Sequence, residues 1–83
     1  MRVTVRYFAG IREAIGQAAE EVHTSALTLG QLRAELLARG GPHGEVLAQD
    51  RAVRMAVNQV MAVADAPLAE GAEVAFFPPV TGG

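Results

Sequence analysis

The chain has 83 residues, 51% of them hydrophobic, so we expect one packed domain rather than a disordered segment. The formal net charge is −2, and the seven basic residues are scattered arginines, which argues against a nucleic-acid-binding surface. Cysteine and lysine are both absent, which excludes disulfides, a thiolate nucleophile, a zinc–sulfur site and a side-chain amine.

The first predicted element is a strand over Arg2–Phe8, in which polar and apolar residues alternate. One face carries Val3, Val5 and Tyr7, and the other carries Thr4, Arg6 and Phe8. A secretory signal would have a continuous apolar centre instead, and no apolar run approaches the ~20 residues that span a bilayer. We therefore expect a cytoplasmic protein that does not bind a membrane.

Two short elements and one long helix are predicted next. Gly10–Gly16 indicates a short turn of helix between glycines, and Ala18–Thr24 is a weaker strand candidate. Leu27–Gly41 gives the strongest helix signal, with Thr28 as N-cap in a capping-box sequence. Pro42–Asp50 is expected to be a loop that could hold one more helical turn.

The second half of the chain predicts three more strands. Ala52–Ala64 is typical of a β-hairpin around a two-residue turn at Asn58 and Gln59. That turn places Val57 opposite Val60. Glu73–Phe77 is the last strand, and it ends at two prolines that cannot donate to a ladder.

The order strand, strand, helix, strand, strand, strand predicts an α+β fold of the β-grasp, ubiquitin-like kind. We expect a mixed sheet of about five strands with one main helix packed on one face. The predicted β-grasp domain covers residues 1–77, and an extended C-terminal tail covers residues 78–83.

Three strands each carry a large apolar residue that is out of phase with the predicted core. Phe8, Met61 and Phe77 all fall on the faces opposite to the core residues of their strands. One exposed apolar side chain is normal in a soluble protein. Three of them on adjacent strands instead predict a surface that binds a partner.

The segment after Phe77 reads PPVTGG and suggests a reactive tail. Pro78 and Pro79 favour an extended geometry that holds the tail away from the sheet, and the five residues after Pro78 reach roughly 16 Å. Gly82 and Gly83 lack a Cβ, so this end fits a narrow slot. A carboxylate there becomes electrophilic only after activation, for example as an acyl-adenylate. Because the chain has no cysteine, carried sulfur would sit on that carboxyl group as a thiocarboxylate.

These features together resemble the small, sulfur-carrying subunits of molybdopterin synthase. The matching stretches are VRYFAGIREAIG near the start, AVNQ in the hairpin, and Pro67, Leu68, Gly71 and Glu73–Gly83 toward the end. The resemblance spans the whole chain in matching order. FFPPVTGG is its most specific part, whereas residues 18–51 match only in pattern.

The resemblance implies a carrier function that depends on other proteins. An adenylating enzyme related to ubiquitin-activating enzymes would activate Gly83 with ATP, and a persulfide-type sulfurtransferase would convert it to a thiocarboxylate. The tail would then enter the large synthase subunit and give sulfur to cyclic pyranopterin monophosphate, forming the dithiolene of molybdopterin. The family's synthase is a heterotetramer whose pocket lies mainly on the large subunits. The chain is therefore expected to hold no cofactor or metal and not to be catalytic alone.

The resemblance also assigns roles to particular residues. Gly83, preceded by Gly82, carries the reacting carboxyl group. The expected partner interface is made of Phe8, Met61, Phe77, Pro78, Pro79, Val80 and Thr81. The position of Met61 is commonly leucine in the family, which keeps size and polarity.

Three alternatives stay open at this point. The chain could supply sulfur for thiazole synthesis or tRNA thiolation, act as a ubiquitin-like modifier of proteins, or be a non-covalent binding module whose tail is inert. The remaining polar residues give weak signals: His23 and His43 are expected to be exposed or in loops, and Glu20 and Glu21 to be solvated.

Overall fold

The computed structural model describes residues 1–79 as a five-stranded mixed sheet with three helices. The strands are β1 (Arg2–Tyr7), β2 (Ala19–His23), β3 (Arg54–Val57), β4 (Val60–Ala62) and β5 (Glu73–Phe77), and the helices are α1 (Ala9–Ile15), α2 (Leu29–Leu37) and α3 (Gly41–Val46). The sheet order is β2-β1-β5-β3-β4, in which β1 and β5 are parallel and the other pairs are antiparallel. The predicted β-grasp arrangement is confirmed.

The two central strands bury every second residue, as the alternating pattern predicts. In β1, Val3 and Val5 are 0% exposed and Tyr7 is 1% exposed. In the parallel neighbour β5, Val74 and Phe76 are both 0% exposed. Because the side chains of a strand alternate between faces, the opposite face of the sheet is left to the remaining residues of these strands.

Helix α2 covers the buried face of the sheet with Leu29, Leu32 and Leu36, which are at most 1% exposed. The helix begins where the capping sequence predicts. The Oγ1 atom of Thr28 accepts a hydrogen bond from the backbone N–H of Gln31 at 3.3 Å. This bond satisfies one of the free N–H groups of the first turn and fixes the start of the helix.

Helix α2 ends close to Gly40 and Gly41, one of which the sequence predicts as its C-terminal stop. The helix ends at Leu37, and Gly40 and Gly41 then adopt φ values of 74° and 56°. A positive φ is easily reached by glycine, which lacks a Cβ, and it is incompatible with a right-handed helix, so the helical backbone cannot continue through these residues. A separate short helix, α3, follows in the segment that the sequence predicts as a loop able to hold one more helical turn.

The hairpin forms with the predicted turn and register. Asn58 and Gln59 both have positive φ values, 51° and 68°, which matches the twist that a two-residue hairpin requires. Val57 pairs with Val60 as expected. The turn is also bound to β5, because the N–H of Asn58 donates to the carbonyl of Glu73 at 2.7 Å and its Oδ1 accepts from the N–H of Glu73 at 3.0 Å.

A buried arginine connects α2 to the segment after α3. Arg33 is 7% exposed, and its Nε donates to the carbonyl of Leu47 at 2.8 Å. Its Nη2 donates to the carbonyls of Ala48 at 2.6 Å and Arg51 at 3.3 Å. These bonds satisfy backbone groups of a stretch that has no regular structure, which explains why a charge is tolerated there. Across residues 1–79, none of the helices has the length and apolar character needed to cross a membrane.

Candidate docking face

The face of the sheet opposite the core carries an apolar patch formed by Phe8, Met61 and Phe77. All three side chains line one open groove. The rings of Phe8 and Phe77 lie edge to face, with centroids 6.4 Å apart and planes at 90°. The structure thus brings together the three residues that the sequence places out of phase with the core.

The sheet register explains why a groove forms at this point. One row of neighbours runs across four strands, from Arg6 to Ala75, Ala56 and Met61. Adjacent strands lie about 4.8 Å apart, so Met61 is separated from β1 by roughly three such spacings. The two alanines in the middle of this row form a low floor between larger side chains.

The patch is accessible and has a polar rim. Met61 is 58% exposed, Phe8 is 43% exposed and Phe77 is half-buried. On the rim, Nε of Arg6 lies 3.0 Å from Oε2 of Glu73. An exposed apolar centre with charged residues around it is typical of a surface that binds another protein.

The predicted tail begins directly beside the patch. Pro78 and Pro79 follow Phe77 without regular secondary structure and are half-buried. The other tail residues of the predicted site lie outside the described residues, namely Val80, Thr81, Gly82 and Gly83. Within residues 1–79, no cluster of three or more histidine and acidic side chains could hold a metal ion.

A polar network on the helix side of the sheet was not anticipated from the sequence. Glu20, expected to be solvated, accepts a hydrogen bond from the hydroxyl of Tyr7 at 2.7 Å and one from Nη1 of Arg39 at 2.8 Å. Nε2 of His43 lies 3.0 Å from the same carboxylate, and its ring packs edge to face on Tyr7. The expectations for Glu20 and His43 were therefore wrong. The available signal was Tyr7 itself, because a tyrosine on a buried face needs an acceptor for its hydroxyl.

The network perturbs the pKa of two of its members. Burial alone would raise the pKa of Glu20, but hydrogen bonds from Arg39, Tyr7 and His43 outweigh burial and lower it to about 2. Burial, followed by the hydrogen bond to Glu20, raises the pKa of Tyr7 well above its ordinary value. The network joins α3 and the segment after α2 to the sheet, away from the apolar patch, so we assign it to stability.

Replacement of Glu20 by glutamine is expected to lower the free energy of unfolding by about 2 kcal/mol at pH 6, because it removes hydrogen bonds to a charged group. Since folding depresses the pKa of Glu20 from 4.5 to about 2, its stabilisation is present above pH 4.5 and is lost as the pH falls toward 2. Urea denaturation of the wild-type chain and of Glu20→Gln at pH 6 and pH 3 measures the difference in their free energies of unfolding. Glu21→Gln is the matched control, because the side chain of Glu21 is 63% exposed. Equal losses in the two variants would contradict the assignment.

Comparison with known proteins gives matches along the full chain. Residues 5–83 match the model of the ThiS family. A relative named molybdopterin synthase sulfur carrier subunit, from Escherichia coli (strain K12), is 42% identical over 81 residues, which covers 98% of this chain and 99% of the relative.

Two solved structures have similar folds. SAMP1 of Haloferax volcanii, a small archaeal modifier protein, has a TM-score of 0.78 and 26% identity, with full coverage of both chains. A protein–protein complex of subunits 1 and 2 of the molybdopterin-converting factor of Helicobacter pylori 26695 contains a chain with a TM-score of 0.71 and 28% identity, also with full coverage of both. The apolar patch therefore lies on a fold that is seen in complex with a second subunit.

Proposed function

The chain belongs to the ThiS family, and from this premise we propose that it is the sulfur-carrier subunit of a molybdopterin synthase. The observation that carries the proposal is the 42% identity to a sulfur carrier subunit over essentially the whole of both chains. The family match over residues 5–83 includes the segment FFPPVTGG, in which the groups proposed to react and to dock lie side by side.

The proposed chemistry takes place on the carboxyl group of Gly83. A carboxylate is ionised at neutral pH and is a poor electrophile, so it needs activation before sulfur can be attached. An adenylating enzyme joins it to AMP from ATP, with release of pyrophosphate. The terminal sulfur of a persulfide-type donor displaces AMP and forms an acyl disulfide with Gly83. A thiol then attacks the donor's sulfur in that S–S bond, which leaves a thiocarboxylate on Gly83 and a disulfide between the thiol and the donor. This sulfur then passes to cyclic pyranopterin monophosphate in a pocket of the large subunit, and two carriers are used for each dithiolene.

The described residues supply docking in this scheme. The apolar patch of Phe8, Met61 and Phe77 is proposed to pack against the large subunit, as complex formation in the Helicobacter pylori relative supports. Phe77 leads directly into Pro78 and Pro79, so docking at the patch would fix where the tail starts. The terminal glycines would then enter a narrow channel. Because ATP is consumed, we place these steps in the cytoplasm.

A ubiquitin-like modifier is the second candidate, and the similarity to SAMP1 supports it. The same activated carboxyl group would form an amide when it meets an amine of a protein instead of a sulfur donor. Lysates would then contain adducts of higher mass that disappear when Gly83 is deleted. A sulfur carrier for thiazole synthesis or tRNA thiolation would have the same tail chemistry and a different acceptor.

Intact-mass spectrometry with an acceptor assay tests the proposal. The chain is incubated with ATP, the adenylating enzyme and a sulfur source, and one oxygen at Gly83 is expected to be replaced by sulfur. The product is then mixed with the large subunit and cyclic pyranopterin monophosphate, and molybdopterin is expected. A variant without Gly83 is the control. The proposal would be overturned if the mass of the chain stayed unchanged with an adenylating enzyme that is active on another carrier. It would also be overturned if sulfur were transferred only to a thiazole precursor.

A further inference from the structure

Met61 is the most exposed sulfur-containing side chain among the described residues. The chain has three methionines and no cysteine, so its side-chain sulfur is limited to Met1, Met55 and Met61. Met55 is 8% exposed and belongs to the core, whereas Met1 is 38% exposed and Met61 is 58% exposed. An oxidant in solution therefore reaches Met61 most easily.

Met61 lies on the edge strand β4 and lines the groove that contains Phe8 and Phe77. It also lines a second open groove, together with Val60 and Val63, which are 67% and 69% exposed. The side-chain hydrogen bond at this groove joins Arg6 to Glu73 on the rim, and none of the hydrogen bonds within residues 1–79 involves the thioether of Met61.

We propose that Met61 is a modification site, at which oxidation by a peroxide prevents the docking of the large subunit. The thioether sulfur attacks one peroxide oxygen, so that an S–O bond forms and the O–O bond breaks. The released hydroxide takes up the proton of the new S–OH group and leaves as water. The sulfur loses two electrons and becomes a sulfoxide, and the peroxide is reduced by the same two electrons.

The position of Met61 makes this small change disruptive. The sulfoxide oxygen is a strong hydrogen-bond acceptor, and it would stand beside two alanines and across the groove from Phe8 and Phe77. A partner surface that packs on this patch would remove water from that oxygen. A buried polar group without a hydrogen-bond donor is costly, and at this interface we expect affinity to fall about 10- to 100-fold.

This inference rests on the proposed function, since it needs the large subunit as partner. It differs from general oxidative damage in its site, because Met55 lies inside the core and Met1 lies outside the patch. Methionine sulfoxide is reducible by methionine sulfoxide reductases, so the effect is expected to be reversible.

The test compares the wild-type chain with Met61→Leu. Leucine has a similar size and no sulfur, so this variant is expected to resist the oxidant, and its affinity after treatment is compared with its own value before treatment. Both chains are used in the carboxylate form, so that no thiocarboxylate consumes the oxidant. Each is treated with dilute hydrogen peroxide, the sites of oxidation are mapped by peptide mass spectrometry, and affinity for the purified large subunit from the same organism is measured by titration calorimetry.

We expect Met61 to be oxidised before Met1 and Met55. Oxidation is expected to lower the affinity of the wild-type chain for the large subunit and to leave the affinity of Met61→Leu constant. Treatment with a methionine sulfoxide reductase is expected to restore the affinity of the wild-type chain. Unchanged affinity of a wild-type chain that carries the sulfoxide at Met61, or an equal loss in both chains, would overturn the inference and leave the proposed function intact. Absence of binding by both chains before oxidation would refute the proposed function, and the inference would fall with it.

Discussion

Addition of one residue after Gly83 is expected to lower thiocarboxylate formation by more than about 100-fold. Each added residue moves the carboxyl group by about 3.5 Å, and a reacting group displaced by even 1 Å can lose about 100-fold in rate. The carboxyl group would no longer lie within reach of the α-phosphate of ATP in the adenylating enzyme. The rate of adenylation is measured as the exchange of labelled pyrophosphate into ATP.

Two variants separate the length of the tail from its width. Appending one glycine changes the position of the carboxyl group without a new Cβ, whereas Gly83→Ala keeps the position and adds a Cβ. If the tail enters a slot that admits only glycine, both variants lose activity. Unfolding by urea serves as the control, and all the chains are expected to be equally stable. Full activity of a chain extended by glycine would show that the terminal carboxyl group is not the reacting group.

The parts of the fold that follow local rules could be predicted from the sequence. The burial of Val3 and Val5 follows from alternation in β1, and the turn at Asn58 and Gln59 follows from the pattern on its two sides. The apolar patch was predictable for the same reason. Parity within a strand decides which face a side chain occupies, and a residue that breaks the pattern is visible in the sequence.

The parts that depend on distant contacts could not be predicted. Arg33 is buried because the chain returns to it with three carbonyl groups from residues 47–51, and no pattern around Arg33 indicates that return. Glu20 likewise meets Tyr7, Arg39 and His43 only after β2, α2 and α3 have packed. Both cases concern charged residues that a local reading assigns to solvent, and tertiary hydrogen bonds reverse that assignment.

Phe77→Ala is expected to weaken binding of the large subunit by about 2 kcal/mol, or roughly 30-fold, because a central aromatic residue is typical of an interface hot spot. Phe77 is half-buried and is the last residue of β5, so its position also determines where the tail begins. The affinity is measured by titration calorimetry with the purified large subunit. Leu27→Ala is the matched control, since Leu27 is 71% exposed and does not line the patch.

The contact between Phe77 and Phe8 gives this prediction a second test. Phe8→Ala alone should weaken binding by a similar amount, and the double variant should lose less than the sum, because each ring supports the other across 6.4 Å. Urea denaturation must show that the variants stay folded at the temperature of the titration. Additive losses would mean that the two rings bind the partner independently. Unchanged affinity in both single variants would mean that the large subunit docks on another surface.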